Sequence, residues 1–313
     1  MRKLLAFAGL CLASLLLYVA VFSVVHRPLT LGEIPRLLAV KRAYASSLPS
    51  PKLLILAGSG GRYSHRCAAI TQMTHWPCAN LSLAVGIALD FVFEQADPVL
   101  QAKDVVYLPL EYEQYRATQA QMAAGSQNPV LVHDLREQLW RLPAERIARA
   151  YASFDLPFLV HGLIEMGLAG RGFERRTNLA SLTPEGDEQG HTEEKGRAYE
   201  PFRRSARFDT TPLPAQSHAL EVLDDFLDRM HRRGVRVIGG LPTTPDDVAL
   251  DDAAIERLRA RFARHGQTLL VLPNRSQYPL GCFFDSLVHL NEGCQWQHSA
   301  LLGKALSGLL PLP

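Results

Sequence analysis

The segment Lys52-Leu-Leu-Ile-Leu-Ala-Gly-Ser59-Gly-Gly61 joins a short apolar run to a serine flanked by glycines. A bounded apolar run of this length is typical of a strand buried on both faces, as in parallel sheets covered by helices. In open α/β sheets, functional groups gather at the carboxyl ends of the strands. The segment therefore predicts an α/β fold in which Ser59 lies where a buried strand turns into a helix.

Similar apolar runs recur along the chain and alternate with stretches of helical periodicity. Besides Leu53–Ala57, the predicted strands are Ala79–Leu83, Val105–Leu110, Val235–Leu241 and Thr268–Leu272. Strands that alternate with helices predict a mostly parallel sheet covered on both faces. A last helix is expected from about residue 296.

A helical insertion is predicted at about residues 111–215, between two of the strands. Its apolar stretch 154–164 could touch a membrane or a partner, but such stripes are more often ordinary core, and burial is the expectation here. Residues 183–196 are acidic, contain glycine and have almost no apolar side chains. This composition predicts a mobile loop.

The N-terminus carries an uncharged segment, Leu4–Val25, of 22 residues. As a helix it would be about 33 Å long, close to the bilayer core of about 30 Å. Arg2 and Lys3 precede it and favour a cytoplasmic N-terminus, although Arg27 weakens the asymmetry. Residues 1–27 are predicted to be an anchor in the inner (cytoplasmic) membrane, with a cleaved signal peptide as the alternative. Residues 28–50 would be a juxtamembrane connector, and 51–313 one domain in the periplasm or outside the cell.

Composition limits the choice of partner and compartment. With 313 residues, 47% of them hydrophobic, the chain can bury one large core. A net charge of +2 and the lack of basic runs interleaved with aromatics give no support to a nucleic-acid partner.

Four cysteines lie in the part predicted to be exported, and Cys11 lies in the anchor. The four allow three pairings. An oxidising compartment makes Cys67–Cys78 or Cys282–Cys294 plausible, and either bond would brace a segment of the predicted site. Free buried thiols are the alternative.

Three residue types needed for nucleophilic catalysis occur in suggestive places: Ser59, and the pair Asp285 and His289 near the C-terminus. A serine hydroxyl reacts at neutral pH when an imidazole takes its proton, and a carboxylate orients that imidazole. The competing interpretation is that Ser59 only caps the following helix.

Four stretches of the chain resemble the SGNH (GDSL-like) hydrolases, and within them the membrane-anchored periplasmic members associated with acylation of cell-surface polymers. The matching stretches are Leu54–Gly61, Cys78–Gly86, Lys103–Tyr112 and Phe284–Gly293. Three positions depart from the usual pattern. Ser82 stands where glycine is usual, the third stretch lacks Gly-x-Asn-Asp, and the spacing of Asp285 and His289 is one residue longer than the commoner Asp-x-x-His.

The resemblance implies an SGNH-type three-layer sandwich with Ser59 as nucleophile, His289 as base and Asp285 as its orienter. The backbone N–H of Ser59 or Gly60 would bind the oxyanion, with the side chain of Asn80 as a further donor; the alternative for Asn80 is a turn residue. It further implies an O-acyltransferase or esterase acting on acyl groups, often acetyl, of a cell-surface polysaccharide, supplied by a multi-spanning membrane acyltransferase. No cofactor is expected. The alternatives are a non-catalytic assembly partner of a polysaccharide complex, and a lipid esterase.

Other candidate sites are weaker. His65 is expected on a helix surface, and Glu111 and Tyr112 either contact substrate or cap a helix. The string Cys282-x6-His289-x4-Cys294-x3-His298 lacks a Cys-x2-Cys knuckle, so no metal site is predicted. Gly58–Gly61 lacks the third glycine of a dinucleotide loop.

Overall fold

The computed structural model describes residues 2–24, 29–84, 86–153, 156–169 and 178–311. Its strands are β1 (Leu53–Ile55), β2 (Cys78–Asn80), β3 (Val105–Leu108), β4 (Arg236–Gly239), β5 (Thr244–Pro245), β6 (Thr268–Leu269) and β7 (Gln277–Tyr278). Five of them form a parallel sheet in the order β2-β1-β3-β4-β6, and β5 pairs with β7 in a small parallel ribbon. The predicted parallel sheet is confirmed.

The helices are α1 (Arg2–Val24), α2 (Leu29–Ser47), α3 (Ser59–Ser64), α4 (Cys67–Thr74), α5 (Leu89–Ala96), α6 (Tyr112–Arg116), α7 (Gln119–Ala123), α8 (Gln127–His133), α9 (Arg136–Leu139), α10 (Ala144–Ala152), α11 (Leu156–Ala169), α12 (Glu193–Gly196), α13 (Glu200–Ser205), α14 (His218–Arg232), α15 (Asp252–Arg264) and α16 (Glu292–Ser307). Short 3₁₀ turns lie at Asp97–Val99, Asn178–Ser181, Arg197–Tyr199 and Leu280–Cys282.

The two faces of the sheet are covered by different helices because successive strand residues point to opposite sides. On one face, Leu53, Val105 and Tyr107 pack in a buried cluster with Ile70 of α4 and Leu302 of α16. Helices α5, α14 and α15 cover the other face. The result is three layers, an α/β architecture as predicted.

Two compact units divide the chain: Met1–Arg36 with Ala123–Thr177, and Leu37–Met122 with Asn178–Pro313. The first unit contains helices only, within its described residues. The second holds the sheet. In the first unit, the segment Arg2–Val21 of α1 is long and apolar enough to span a membrane, and none of its apolar window is buried.

Three segments have a structure or an environment that the sequence pattern did not indicate. Residues 29–47, within the predicted connector, form the helix α2. The acidic segment 183–196 is not a free loop, because the buried Asp187 and the backbone of Glu185 and Gly186 bond to the second unit's core. Residues 156, 160, 163 and 164, expected in a core, are exposed on α11.

Both suggested disulfides are present. Cys67 is bonded to Cys78, and Cys282 to Cys294. The first joins α4 to β2, and the second joins the segment before Asp285 to α16. Cys11 is free and exposed on α1.

Candidate active site

Ser59 is the first residue of α3 and follows β1 by four positions. Its neighbours Gly58 and Gly60 are buried, whereas Ser59 itself is partly exposed. The Ser59 hydroxyl makes no hydrogen bond with any described residue, so the structure gives no support for the helix-capping alternative. The serine therefore sits at a sharp strand-to-helix turn with an uncommitted hydroxyl.

The carboxylate of Glu111 brackets this turn. Its Oε2 accepts from the Gly58 N–H at 2.9 Å and its Oε1 accepts from the Gly60 N–H at 2.8 Å. A methyl group on Gly58 would lie only 2.5 Å from Oε1, so a side chain at this position would have to displace the Glu111 carboxylate. Burial raises the pKa of Glu111, while the backbone hydrogen bonds and the nearby His289 act in the opposite direction.

Glu111 also begins α6. It is the N-cap of that helix, and Gln114 returns a side-chain bond to the Glu111 N–H at 3.1 Å. Since Glu111 follows β3 and Ser59 follows the adjacent β1, the parallel order of these strands brings them to the same edge of the sheet. Glu111 therefore caps α6, as suggested from the sequence. Its side chain also accepts hydrogen bonds from the residues on either side of Ser59.

Asn80, at the end of β2, is fully buried and all its amide groups are used. Its Nδ2 donates to the Gly61 carbonyl at 3.0 Å and to Asp187 Oδ1 at 2.9 Å, and its Oδ1 accepts from the Ser82 N–H. An amide nitrogen has two hydrogens, so neither remains for an oxyanion. Asn80 holds the α3 turn in this structure.

Two of the three predicted oxyanion donors, Gly60 and Asn80, are thus engaged elsewhere. The Gly60 N–H donates to Glu111 and Asn80 donates to Asp187 and Gly61. Either one must exchange partners before it could bind an oxyanion. The Ser59 N–H, at the first turn of α3, makes no hydrogen bond to the described residues and needs no such exchange.

A buried ammonium group supports the β2 side of the turn. Lys41 Nζ donates to the carbonyls of Asn80, Ser82 and Gly186 at 2.9, 2.8 and 2.6 Å. Burial lowers the pKa of Lys41 to about 7, and Arg62 adds to this effect. Three acceptors match the three hydrogens of the charged form, so the contacts oppose the desolvation that favours the neutral amine.

Asp285 and His289 form a dyad on the segment before α16. His289 Nδ1 lies 2.6 Å from Asp285 Oδ1, and the side chains are 14% and 30% exposed. Burial by itself would raise the pKa of Asp285, but the hydrogen bond and charge of His289 bring it below its usual value. Because the carboxylate accepts from Nδ1, the other nitrogen, Nε2, is the one free to take a proton.

Stacking on Tyr63 brings this dyad next to α3. The rings of His289 and Tyr63 are 4.2 Å apart and nearly parallel. Tyr63 and Ser59 are four residues apart and so share one face of the helix. The preceding carbonyl, of Val288, lies 3.4 Å from where a Gly60 methyl would be.

The hydrogen bond between Ser59 and His289 is not formed. His289 Nε2 is buried and has no partner among the described residues. The structure thus brings Ser59, Asp285 and His289 to one edge of the sheet, with the hydrogen bond between Asp285 and His289 formed and no hydrogen bond to Ser59.

A second group of histidines lies on the far side of α3, fully buried. His65 Nδ1 lies 3.1 Å from the Gly61 carbonyl, His65 Nε2 lies 3.3 Å from His298 Nε2, and His298 Nδ1 lies 2.9 Å from the Tyr278 hydroxyl. Burial lowers the pKa of His65 to about 4, and that of His298 falls well below the usual value. The expectation that His65 lies on a helix surface is wrong.

Only one assignment of protons satisfies this chain with both rings neutral. The Tyr278 hydroxyl donates to His298 Nδ1, His298 Nε2–H donates to His65 Nε2, and His65 Nδ1–H donates to the Gly61 carbonyl. A proton added to either ring would turn an acceptor into a donor. The group therefore holds the α3 turn in place rather than exchanging protons.

A cavity of about 240 Å³ lies near the dyad, and neither dyad residue nor Ser59 is among its lining residues. Its wall includes Glu111 and the segment 286–288, which lies between Asp285 and His289. Three aromatic side chains also line it: Tyr112, Phe202 and Phe208. An apolar cleft with a few convergent polar groups is the usual form of a ligand site.

Comparison with known proteins does not assign a family. No family model and no curated protein matches this chain. Among solved structures, the chain is similar to the crystal structure of protein YxiM from Bacillus subtilis, with 10% identity and a TM-score of 0.41. The match covers 84% of this chain and 57% of the YxiM chain, so this chain spans little more than half of that protein's length.

Sequence analysis did not identify Lys41 or Asp187 as residues of the site. It also did not predict that the Glu111 carboxylate binds the N–H groups on both sides of Ser59. Each is a charged residue buried at the turn. Their partners lie far along the chain, 51 to 53 residues away for Glu111 and 145 for the bond between Lys41 and Gly186. The one usable signal was the position of Glu111 directly after a predicted strand.

Proposed function

We propose that this chain is a serine enzyme that forms an acyl-enzyme on Ser59, with His289 as general base and Asp285 as its orienter. The observation that carries the proposal is the dyad: the Nδ1 of His289 is held by a carboxylate at 2.6 Å while its Nε2 has no described partner. His289 stacks on Tyr63, which lies one helical turn after Ser59, and the Ser59 hydroxyl makes no hydrogen bond to a described residue. A histidine arranged in this way is suited to take the proton of that serine.

The reaction would proceed in two acyl transfers. The Ser59 oxygen attacks the ester carbonyl while His289 Nε2 takes the hydroxyl proton, and this proton then passes to the departing alkoxide. In the second step water or a sugar hydroxyl gives its proton to Nε2 and attacks the acyl-enzyme. The bond between the acyl carbon and the Ser59 oxygen then breaks, and Nε2 returns the proton to that oxygen. Asp285 stabilises the imidazolium in both steps without itself becoming protonated.

The oxyanion formed in each step needs donors. The Ser59 N–H is available, and Gly60 becomes available if Glu111 releases it. One such donor is typically worth about 3–4 kcal/mol. Asn80, with both amide hydrogens engaged, would contribute only after its contacts to Asp187 and Gly61 rearranged.

We further propose a cell-surface polysaccharide as the acyl acceptor or substrate, with an acyl group such as acetyl delivered by a multi-spanning membrane acyltransferase. The support is the motif resemblance and the apolar helix α1, which would hold the domain at the inner membrane, facing the periplasm or cell exterior. The cavity near the dyad, with its aromatic walls, offers a surface on which a sugar ring could stack.

The experiment that tests this proposal uses the full chain in proteoliposomes with p-nitrophenyl acetate labelled in the acetyl group. Wild-type protein should release p-nitrophenol, and Ser59→Ala should not. The exposed serine variant Ser205→Ala serves as the matched control. Equal rates in wild type and Ser59→Ala would overturn the proposal. With polysaccharide added, label on the glycan indicates a transferase and free acetate alone indicates a hydrolase.

A second candidate is a non-catalytic member of a polysaccharide complex. One observation favours it: the N–H groups of Gly60 and Asn80 already donate to other residues, so neither is available to an oxyanion. This candidate predicts that no ester is turned over, and that no acyl group is found on any serine of the recovered protein. A lipid esterase would instead turn over long-chain esters in the vesicle faster than water-soluble acetate esters.

A further inference from the structure

Helix α11 carries an exposed apolar stripe. Leu156, Val160, Leu163 and Ile164 are 70%, 45%, 53% and 56% exposed, and their spacing places them on one side of the helix. Leu168 continues the stripe one turn further on and is 36% exposed. Neighbouring large apolar side chains at this exposure are unusual on a protein that meets only water.

The length of α11 limits what it can do in a bilayer. Its 14 residues span about 21 Å, too short to cross a hydrocarbon core of about 30 Å. Apolar helices of this length are either buried in a core or lie at a membrane interface. Since the stripe is exposed, the core alternative does not apply.

A contact within the same unit connects this region to the apolar helix α1. The Tyr18 hydroxyl donates to the Tyr151 carbonyl at 2.8 Å. Tyr18 lies in the last turn of the segment long enough to span a membrane, Arg2–Val21, and Leu156 follows Tyr151 by only five residues. Helix α11 therefore begins near the level at which α1 would leave the hydrocarbon.

The surroundings of this contact have the composition of an interface. Trp140, directly after α9, is 65% exposed, and tryptophan is enriched at the headgroup level of membranes. The segment 136–149, which precedes the apolar stripe in the sequence, contains four arginines and two glutamates, an excess of positive charge. Basic side chains next to an apolar helix favour binding to anionic headgroups.

We propose that α11 lies in the interface of the same bilayer that α1 enters, with its stripe of Leu156, Val160, Leu163 and Ile164 in the acyl-chain boundary. The occupant of this surface is lipid, and not a second protein. The inference rests on the anchor in the proposed function and is independent of the serine chemistry. It gives the chain a second membrane contact, formed by part of the predicted insertion.

The test places a fluorescent label at single cysteines of the full chain in vesicles of zwitterionic and anionic phospholipids. The native Cys11 is labelled first, as a probe of the anchor. In a Cys11→Ser background, Leu163→Cys and Val160→Cys probe α11, and Ala253→Cys, exposed on α15, is the matched control. Vesicles are prepared with and without lipids that carry a quenching doxyl group on the acyl chain.

Labels at positions 11, 160 and 163 should shift to shorter emission wavelengths and be quenched by the doxyl lipids, and the label at 253 should do neither. If position 11 is quenched but 160 and 163 behave like 253, the proposal for α11 is overturned and the anchor stands. A blue shift at 163 without doxyl quenching would mean that protein covers the stripe, which also overturns it. If position 11 is not quenched, both fail.

Correct folding of each labelled variant is checked by comparing its circular dichroism and urea midpoint with those of the wild type. Formation of the disulfides Cys67–Cys78 and Cys282–Cys294 is checked separately by counting reactive thiols, with one label per chain expected. Two positions on the stripe are used so that a folding defect at one does not decide the result. Release of p-nitrophenol by the labelled variants reports separately on the proposed function.

Discussion

Two histidines lie near the same serine turn and differ in what their ring nitrogens do. His289 has one nitrogen fixed by Asp285 and the other without a described partner. In His65 both nitrogens have partners, the Gly61 carbonyl and His298. A general base needs one oriented nitrogen and one free nitrogen, whereas a structural histidine has both engaged. The difference separates the two roles although both residues are close to Ser59.

His191 marks the limit of this comparison. It is buried beside Tyr63, with ring centroids 5.2 Å apart, and no described carboxylate bonds to its ring. Burial lowers its pKa to about 4. Free nitrogens alone therefore do not identify a base, because without an orienting carboxylate a desolvated ring is a poor proton acceptor.

The largest expected effect is the loss of esterase activity when Ser59 or His289 is replaced. Ser59→Ala and His289→Ala should each lower kcat/KM for an acetyl ester by about 10⁴-fold or more, because each removes a member of the proton relay. The double variant should be no worse than either single one, since the two act as a unit. Steady-state kinetics checks this, and additive losses in the double variant would contradict it.

The next effect concerns the orienting carboxylate. Asp285→Asn should lower kcat by about 10²- to 10⁴-fold with little change in KM, because an amide can hold the wrong tautomer of His289. Asp225→Asn, an exposed carboxylate on α14, is the control and should behave as wild type. A rise in KM without a fall in kcat would mean that Asp285 binds substrate instead.

The buried histidines His65 and His298 should make the free energy of unfolding depend on pH. The pKa of His65 is about 4 when folded and 6.5 in the unfolded chain, so only the unfolded state takes up a proton between these values. The contribution of His65 to stability is therefore complete above about pH 6.5 and falls as the pH drops toward 4, by on the order of 2–3 kcal/mol. Asp187, whose pKa burial raises to about 6, acts in the opposite direction.

Comparison with His65→Gln isolates this contribution. The free energy of unfolding, measured in urea from pH 7 to pH 4, should fall less steeply in the variant than in wild type. His75→Gln, on a histidine exposed at the end of α4, is the control and should keep the wild-type slope. Parallel curves for wild type and His65→Gln would contradict the neutral hydrogen-bonded chain.

The smallest effect is expected for the Glu111 carboxylate, which accepts hydrogen bonds from the N–H groups of Gly58 and Gly60. Glu111→Gln keeps the size of the side chain but points an N–H₂ group at Gly58 or Gly60, leaving one buried N–H without an acceptor. This should cost about 1–3 kcal/mol of unfolding free energy. Urea unfolding measures it, with the exposed Glu113→Gln on α6 as control, and an unchanged midpoint would refute the bracketing role.

Sequence analysis found what short-range patterns encode. Apolar runs located the strands β1, β3 and β4, and residue types together with the motif resemblance pointed to Asp285 and His289. It could not find that Glu111 and Asp187 are buried at the turn, because a carboxylate looks the same in sequence whether water or a distant N–H satisfies it. For the same reason the acidic segment 183–196 was expected to be a loop.

Exposure was the other quantity that the patterns did not reveal. His65 was expected on a surface and is buried, while Leu163 and Ile164 were expected in a core and are exposed. Periodicity indicates that one side of a helix is apolar, but not whether protein, lipid or water faces it. The tertiary arrangement decides this. At the end of α3 it buries a histidine, and on α11 it exposes apolar side chains, although surface histidines and buried apolar stripes are more common.

The central claim, that His289 and not His65 activates Ser59, is tested most directly by covalent labelling with a fluorophosphonate followed by peptide mass analysis. Wild-type protein and His65→Gln should both carry the phosphonyl group on Ser59, and His289→Gln should remain unlabelled under the same conditions. Labelling of His289→Gln at the wild-type rate, or a phosphonyl group on a serine other than Ser59, would contradict the account.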